Sequence, residues 1–581
     1  MTRTDRHGGT GTTRTDRRTR TTRLRLVLTA ALAAVTLLGA TACAAIPTGG
    51  PVRSGQSITN ESPTGGVDYR PTGPEDGANQ TDLLTQFIDA ATGAQNDYAV
   101  AREFLSSGFS QKWNPRQGVT IRQGDGDVER VGDEELTYTL TASASVDADG
   151  EYTQAVRPTS STLTFQFVRE DGQWRISYAP DGIILSPVNF TSVFQPHALY
   201  FYDPTYRFLV PDERWFLARS STSTRIVSAL LAGPAEWLEG SVVSSFPEGT
   251  QLSLNAVTIE SGSAQVDLSS EALRANTVEK VRMREQLTDS LSSVATISSV
   301  DLTVEGVPVP LPDSSGTSAQ RNPDVDARPL VVQDRVTGYA TAGTGDVTAL
   351  GGGLSDRIAG LRPQSLALSA SGTVAAVGND DGVFVVRSGK DPLRIDTRED
   401  LVAPSIDDQG FVWVAQRSDT RSITAYGLGG DPHTVTSTLP DGKLVSFQVS
   451  RDSTRALALL DTDDGAALYV VAITRGSDRA PTSLGPPVRV QAAEGDPVGA
   501  AWVDELDVAS VGRTSAGSSV VRTTVGGQWD TLAKPDGRAT GIVGGSGSAM
   551  LLRMSDGSVL QSTGGAWDTT GVEASVLGVQ R

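Results

Sequence analysis

Five stretches in the C-terminal half share one design, and it restricts the fold more than any other feature: SLALSASGTVAAVG, APSIDDQGFVWVAQ, SFQVSRDSTRALALL, GAAWVDELDVASVG and TGIVGGSGSAMLLR. In each, an apolar strand meets a polar turn and a second apolar strand follows. Their starts lie roughly 35–55 residues apart, the range of four-stranded propeller blades. With RPLVVQDRVTGYATAG as a first or closing strand pair, residues 330–581 are expected to form an all-β propeller of about six blades. The pattern excludes a helical solenoid, and a pair of β-sandwiches is the alternative.

The opposite end is organised around Leu24–Cys43, LRLVLTAALAAVTLLGATAC. Arg14, Arg17, Arg18, Arg20, Arg23 and Arg25 precede an apolar run, Leu26–Leu38, which closes on the small residues Gly39–Ala42 and the only cysteine. That succession reads as a lipoprotein signal peptide over residues 1–42. Cys43 would then carry an S-diacylglycerol thioether and, on its freed amine, an acyl chain. Two or more chains at about 0.8 kcal/mol per buried methylene hold where one myristoyl chain does not. Ala40 stands where the usual lipobox has leucine. An uncleaved anchor is the alternative, although the run falls short of the roughly 20 apolar residues a bilayer core requires. The twin-arginine reading of Asp16–Thr19 lacks apolar residues after its arginine pair.

With no cysteine after Cys43 there is no disulfide, so each domain depends on its own core. A composition of 38% hydrophobic and 20% charged residues belongs to a folded chain. Loss of the leader's eight arginines and two aspartates would take the net charge from -19 to -25. So acidic a body is repelled by polyanions, which argues against nucleic acid as a partner. The preference for arginine over lysine, with abundant Ala, Gly and Thr, suggests a high-GC bacterium.

Residues 43–79 are rich in Gly, Pro, Ser, Thr and Asn and read as a flexible tether. At Thr81 helical periodicity begins: Leu83, Leu84, Phe87, Ile88 and Ala91 share one face, and Tyr98, Ala101, Phe104 and Leu105 share a second. Alternating strands follow in ELTYTLTASASV and STLTFQFVREDGQWRISYAPDGIILS, the latter with an Asp-Gly hairpin signal. Residues 80–190 are therefore expected to be an α+β domain, similar to the cystatin or NTF2-like shape. Trp113, Trp174 and Tyr178 are candidates to line a pocket in it, or simply to fill its core.

Ser192–Arg214 reads as a bridge into a second α+β domain, residues 191–307. Its predicted elements are a helix Arg225–Ala232 ending at Gly233-Pro234, strands around QLSLNAVTIESGSAQVDLS, a helix over about Val278–Val294, and a last strand SVDLTVEG. Val281, Leu287, Leu291 and Val294 are its expected helical core positions. LLAGP, FPEGTQL, SAQVDLS and VDLTVEG fall in the order and spacing of the GerMN domain, which this region resembles. Residues 308–329 read as a second linker.

Little here suggests catalysis. Of three histidines, His7 leaves with the leader, and His197 and His433 stand far apart, His433 in an expected surface loop. No zinc site, Cys/His pair or G-x-S-x-G elbow is present. Acidic clusters at Asp125, Asp127 and Glu129, at Asp133-Glu134-Glu135, and at Asp461-Thr462-Asp463-Asp464-Gly465 read as solvated turns. The last lacks the terminal glutamate of a calcium loop. Gly343-Thr344-Gly345 lacks the third glycine of a dinucleotide site. No metal, cofactor or catalytic residue is expected.

Signal peptide, cysteine, tether, α+β domain, GerMN-like domain and propeller, in that order, resemble the LpqB lipoproteins of actinobacteria, with Cys43 in the lipidated position. The resemblance implies a membrane-anchored extracytoplasmic protein, an accessory of the MtrA–MtrB two-component system that binds the sensor histidine kinase and affects cell-wall homeostasis and division. Two other readings belong to different classes. A propeller could bind wall glycan through aromatics such as Trp413, Trp502, Trp529 and Trp567 at its channel mouth. It could also be a hydrolase or lyase with convergent carboxylates.

Overall fold

The computed structural model describes residues 71–581, apart from 220 and 313–317 and the side chains of 156–158. The expected signal peptide, Cys43 and the tether up to residue 70 lie outside these residues.

Asn79 begins the first helix, Gln80–Ala90, by accepting a hydrogen bond from the Asp82 N–H. That cap satisfies one of the donors a helix start leaves open, worth about 1 kcal/mol. Leu83, Leu84, Phe87 and Ile88 are buried as the periodicity predicts, against the inward residues Leu136, Tyr138, Phe165, Phe167 and Ile176 of a five-stranded sheet. The sheet runs Gln173–Tyr178, Tyr152–Glu170, Glu135–Asp147, Gly118–Arg130, Ile183–Leu185, with the last strand parallel to its neighbour. Asp171 and Gly172 both have positive φ, 49° and 79°, as a two-residue type I′ hairpin requires. The next helix, Gln95–Glu103, opens with Asn96, Asp97 and Tyr98 all left-handed. Left-handed residues other than glycine cost about 1 kcal/mol each. Their turn seats the Tyr98 ring edge-on to Trp113 at 6.1 Å.

Ser192–Arg214 is more than a bridge. Phe194–Tyr202 and Leu209–Leu217 form a fully paired nine-residue hairpin. Helix Thr222–Ala232 then stops at Gly233, whose φ of 114° no other residue adopts readily. Strands Ser263–Leu268 and Ser299–Val304 are parallel, joined through helix Thr277–Leu291. Asn276 and Glu279 form a reciprocal capping box at that helix. Met283, Leu287 and Leu291 are its buried apolar residues, whereas the expected Val281 is only partly covered.

The C-terminal half is a ring of six sheets. Five are built from consecutive strands within residues 365–396, 405–435, 443–490, 496–531 and 539–573. The sixth, formed by residues 330–349, has no first strand of its own. Val576–Leu577 supplies it by pairing with Val331 and Val332. Val579–Gln580 then runs parallel to Ser365–Leu368 of the following blade. Adjacent blades pack through apolar faces: Leu457, Leu459 and Val470 of one lie on Ala500, Trp502 and Val508 of the next.

Candidate functional site

The turns that follow the first strands of three consecutive blades are charged and buried, and the hairpin Phe194–Leu217 lies over them. Asp407 accepts from the Phe411 N–H (2.8 Å), the Trp413 indole (2.9 Å) and Arg475 Nη2 (2.6 Å). In the next blade the whole segment Ser450–Arg455 is buried. Asp452 accepts from the Ser450 hydroxyl (2.6 Å), the Thr454 N–H (2.8 Å) and Arg455 Nη2 (2.5 Å). Burial alone would raise the Asp452 carboxyl, but the Arg455 guanidinium and the two hydroxyls hold it below the usual range. Arg455 also donates to the Glu505 carbonyl of the following blade (2.8 Å).

Arg451 reaches Gly545 O, two blades away, at 2.6 Å, and Arg581 reaches Ser405 Oγ at 2.6 Å and the Val449 carbonyl. Their guanidiniums therefore cross the channel axis and fill this end of it. Burial first, and Arg451 second, press Arg581 down to about 9.

Across the seam, Glu505 Oε1 accepts from the Tyr200 hydroxyl and from Arg321 Nη2, each at 2.9 Å. Arg207 pairs with Asp408 at 2.6 Å, Trp215 Nε1 donates to Gly526 O at 2.9 Å, and Asn322 accepts from Arg451 at 3.2 Å. Gln320 bridges the Arg207 carbonyl and the Leu209 N–H. Residues 320–322, within the expected linker, are thus part of the joint.

Carboxylates also face one another here. Burial, then Asp507 and Asp504, push Glu213 well above the usual range, and burial with Asp507 pushes Asp504 up to about 6. A carboxyl raised in the folded state stabilises fully below its unfolded value near 3.8 and loses that contribution as pH rises through 6. His197 acts in the opposite sense. Burial lowers it to about 4, so its neutral form stabilises above 6.5 and the contribution is lost as pH falls through 4. Asp504→Asn is therefore compared with the parent at each pH. Its unfolding free energy is expected to match the parent near pH 4 and exceed it progressively up to pH 7.5, by about 2–3 kcal/mol at 1.36 kcal/mol per unit, with the thermal midpoint rising in step. A difference independent of pH would refute this reading of the seam.

The expected site residues do not converge. Trp413 and Trp502 are buried, with the Trp502 indole on Gln448 O at 3.2 Å. Trp529 and Trp567 lie on outermost strands, so the four make no aromatic cluster at a channel mouth. His197 is buried with Nδ1 at 2.7 Å from Ser293 Oγ. His433 lies in strand Pro432–Val435, edge-on to Phe411 at 5.4 Å, and not in a loop, because Phe411 and the Ala425 backbone give it partners. Asp125 sits in strand Gly118–Arg130 beside a register break and pairs with Arg122 at 2.7 Å. Asp463 and Asp464 occupy a hairpin turn, as do Gly343, Thr344 and Gly345. No group of three or more metal-ligating side chains occurs among the described residues.

Of the three pocket candidates Trp113 lines a cavity, its indole NH on Pro180 O at 3.1 Å. Trp174 lies under the Arg169 guanidinium at 4.5 Å, and Tyr178 is 47% exposed. Sequence reasoning missed the arginines at 451, 455 and 581. For the first two the available signal was SRDSTR, dense in charge and hydroxyls between the alternating strand KLVSFQV and the apolar run ALALL.

Three family models match in succession: Lipoprotein LpqB, N-terminal domain, over residues 73–191; Sporulation and spore germination over 198–310; and Lipoprotein LpqB beta-propeller domain over 341–574. Lipoprotein LpqB of Thermobifida fusca is 30% identical over 307 residues, covering 50% of this chain and 48% of that protein, about half its length. Lipoprotein LpqB of Cutibacterium acnes is 27% identical over 487 residues, covering 76% and 80%. Among solved structures, the first GerMN domain of the sporulation protein GerM from Bacillus subtilis is 22% identical, covers 21% of this chain and 97% of that one, and has a TM-score of 0.18. With models of that family at both the N-terminal domain and the propeller, and relatives aligned across most of the chain, this protein belongs to the LpqB family of actinobacterial lipoproteins.

Proposed function

We propose that the protein is a regulatory lipoprotein held on the extracytoplasmic face of the cell membrane by acyl chains on Cys43. There it acts as an accessory of an MtrA–MtrB-type system, binds the sensor histidine kinase and affects cell-wall homeostasis and division. Family membership supports the lipid anchor, and no described helix is long and apolar enough to cross a membrane. The observation that carries an interaction role is the ion-paired seam between the hairpin and the propeller, which presents two domains as one surface. A tether would raise the local concentration of that surface against a membrane partner, so modest contacts suffice.

Calorimetric titration of residues 44–581 against the extracytoplasmic domain of the cognate kinase is expected to show saturable 1:1 binding. Heats no larger than dilution at high micromolar concentration, with the protein free and again with it tethered to vesicles, would sink the kinase reading. Replacing Cys43 by Ala is expected to abolish palmitate labelling and release the protein from membranes.

A further inference from the structure

We propose that the N-terminal domain binds a single-chain anionic amphiphile, with its chain in the cavity beneath helix Gln80–Ala90 and its phosphate ester or carboxylate head among Arg116, Arg219 and Arg225. The cavity measures about 280 Å³ and is walled mainly by apolar side chains, among them Phe87, Ile88, Leu163 and Phe165, with Asp147 and Asp181 also on its lining. That approaches the roughly 300–1,000 Å³ of small-molecule sites and far exceeds the voids of a packed core. At about 30 Å³ for each water-sized group it has room for roughly nine.

A second cavity of about 110 Å³ adjoins it, and the two share Gly118, Val119 and Asp147. The second lies where the N-terminal domain meets the Phe194–Leu217 hairpin, and its wall holds Tyr98 and the three arginines. Arg225 is steadied by the Ala148 carbonyl at 3.2 Å and the Phe216 ring at 5.8 Å. Neither Arg219 nor Arg225 makes an ion pair among the described residues. Nearby acids are already engaged. Asp97 is divided between Arg102 (2.7 Å) and Arg116 (2.8 Å), and Asp147 accepts from the Asp149 and Glu151 N–H groups at 2.9 Å each.

An apolar chamber that shares a wall with a guanidinium-lined one matches an amphiphile with an anionic end, since the planar fork of arginine suits phosphate and carboxylate oxygens. In a chain of net charge -19, Arg116, Arg219 and Arg225 outnumber Asp97 and Asp147 at this wall, so an anion meets a locally positive charge. The left-handed run Asn96–Tyr98 is what puts Asp97 on Arg116 and the Tyr98 ring in the wall, and strain of that kind concentrates at binding sites.

The test titrates residues 44–581 with decyl phosphate below its micellar concentration, with 1-decanol and with inorganic phosphate. Decyl phosphate is expected to bind 1:1, at least tenfold more tightly than decanol, with no measurable binding of inorganic phosphate. Arg219→Gln with Arg225→Gln, both solvent-exposed, should remove that tenfold advantage and leave decanol unchanged. Ile184→Trp, which fills the chamber, should abolish both, with a melting curve to confirm folding. Failure of decyl phosphate to bind, decanol binding as tightly, inorganic phosphate binding as tightly, or indifference to the arginine pair would each overturn the proposal.

Discussion

Removal of residues 575–581 is expected to abolish the propeller's cooperative unfolding transition while leaving that of the N-terminal domain in place. A closed ring has no spare strand. Val576–Leu577 is the innermost strand of the blade formed by residues 330–349, and Ser575 and Gly578 tie it to Val332 and Leu330 at 2.9 and 2.7 Å. Val579–Gln580 latches the next blade, and Gln580 Nε2 holds Arg328 O at 3.0 Å. Hydrogen bonds at about 1 kcal/mol each and burial of Val576 at roughly 2 kcal/mol sum to the order of 5 kcal/mol or more. That rivals the whole stability of an ordinary domain, about 5–15 kcal/mol. The cut also bares the blade's face against Val543, Leu551 and Val559. The N-terminal domain keeps its own core around Phe87, Phe104 and Phe165. Calorimetry of the truncated and intact ectodomains decides the matter, and an unaltered high-temperature transition in the truncated chain would refute ring closure by this strand.

The parts of this fold that were legible in the sequence are those set by local periodicity. Leu83, Leu84, Phe87 and Ile88 announced a helix face because their spacing is itself the helical repeat. The Asp171-Gly172 pair announced a hairpin because few residues tolerate positive φ twice in succession. Blade strands were legible for the same reason, through strictly apolar runs such as those of Arg455–Thr462 and Gly465–Arg475.

Long-range features were not. A two-residue strand such as Val576–Leu577 is too short to show any period, and its role exists only because Val331 and Val332 lack a neighbour. His433 beside Pro432 looks like a turn until Phe411 packs on it. SRDSTR has the composition of a solvated loop. Its burial depends on Glu505 in the next blade and on the joint with the hairpin Phe194–Leu217, neither of which leaves a mark within six residues. The same holds for the arginine cluster, since Arg116 and the pair Arg219 and Arg225 are about a hundred residues apart and meet only where two domains touch. Polar sites assembled between domains carry no periodic signal, and that is where the candidate sites of this protein lie.

Arg455→Ala is expected to destabilise the propeller by about 3–5 kcal/mol, the cost of stranding a buried charge. Arg455 is fully buried and Asp452 nearly so, 2.5 Å apart. Arg455 Nε and Nη1 have no acceptor, and the guanidinium carbon sits 4.9 Å from the centre of the Trp502 ring. Arg455 is therefore held by Asp452, the Glu505 carbonyl and a ring face alone, while Asp452 also keeps its bonds from Ser450 and Thr454, and either charge left without the other stays buried. Replacing both partners with uncharged groups of similar size, Arg455→Met with Asp452→Asn, removes the stranded charge and is expected to recover at least 2 kcal/mol of the loss summed over the single variants. Because Asp452 is held below the usual carboxylate range, the contribution of the pair should persist above pH 4 and fade on acidification, by the sign opposite to that of Asp504. Urea unfolding followed by tryptophan fluorescence, on the parent, Arg455→Ala, Arg455→Met, Asp452→Asn and the Arg455→Met, Asp452→Asn double variant, gives the loss and the coupling directly. Strictly additive losses, or a loss below 1 kcal/mol for Arg455→Ala, would show that the buried turn is held by its hydroxyl and backbone hydrogen bonds and not by its charge.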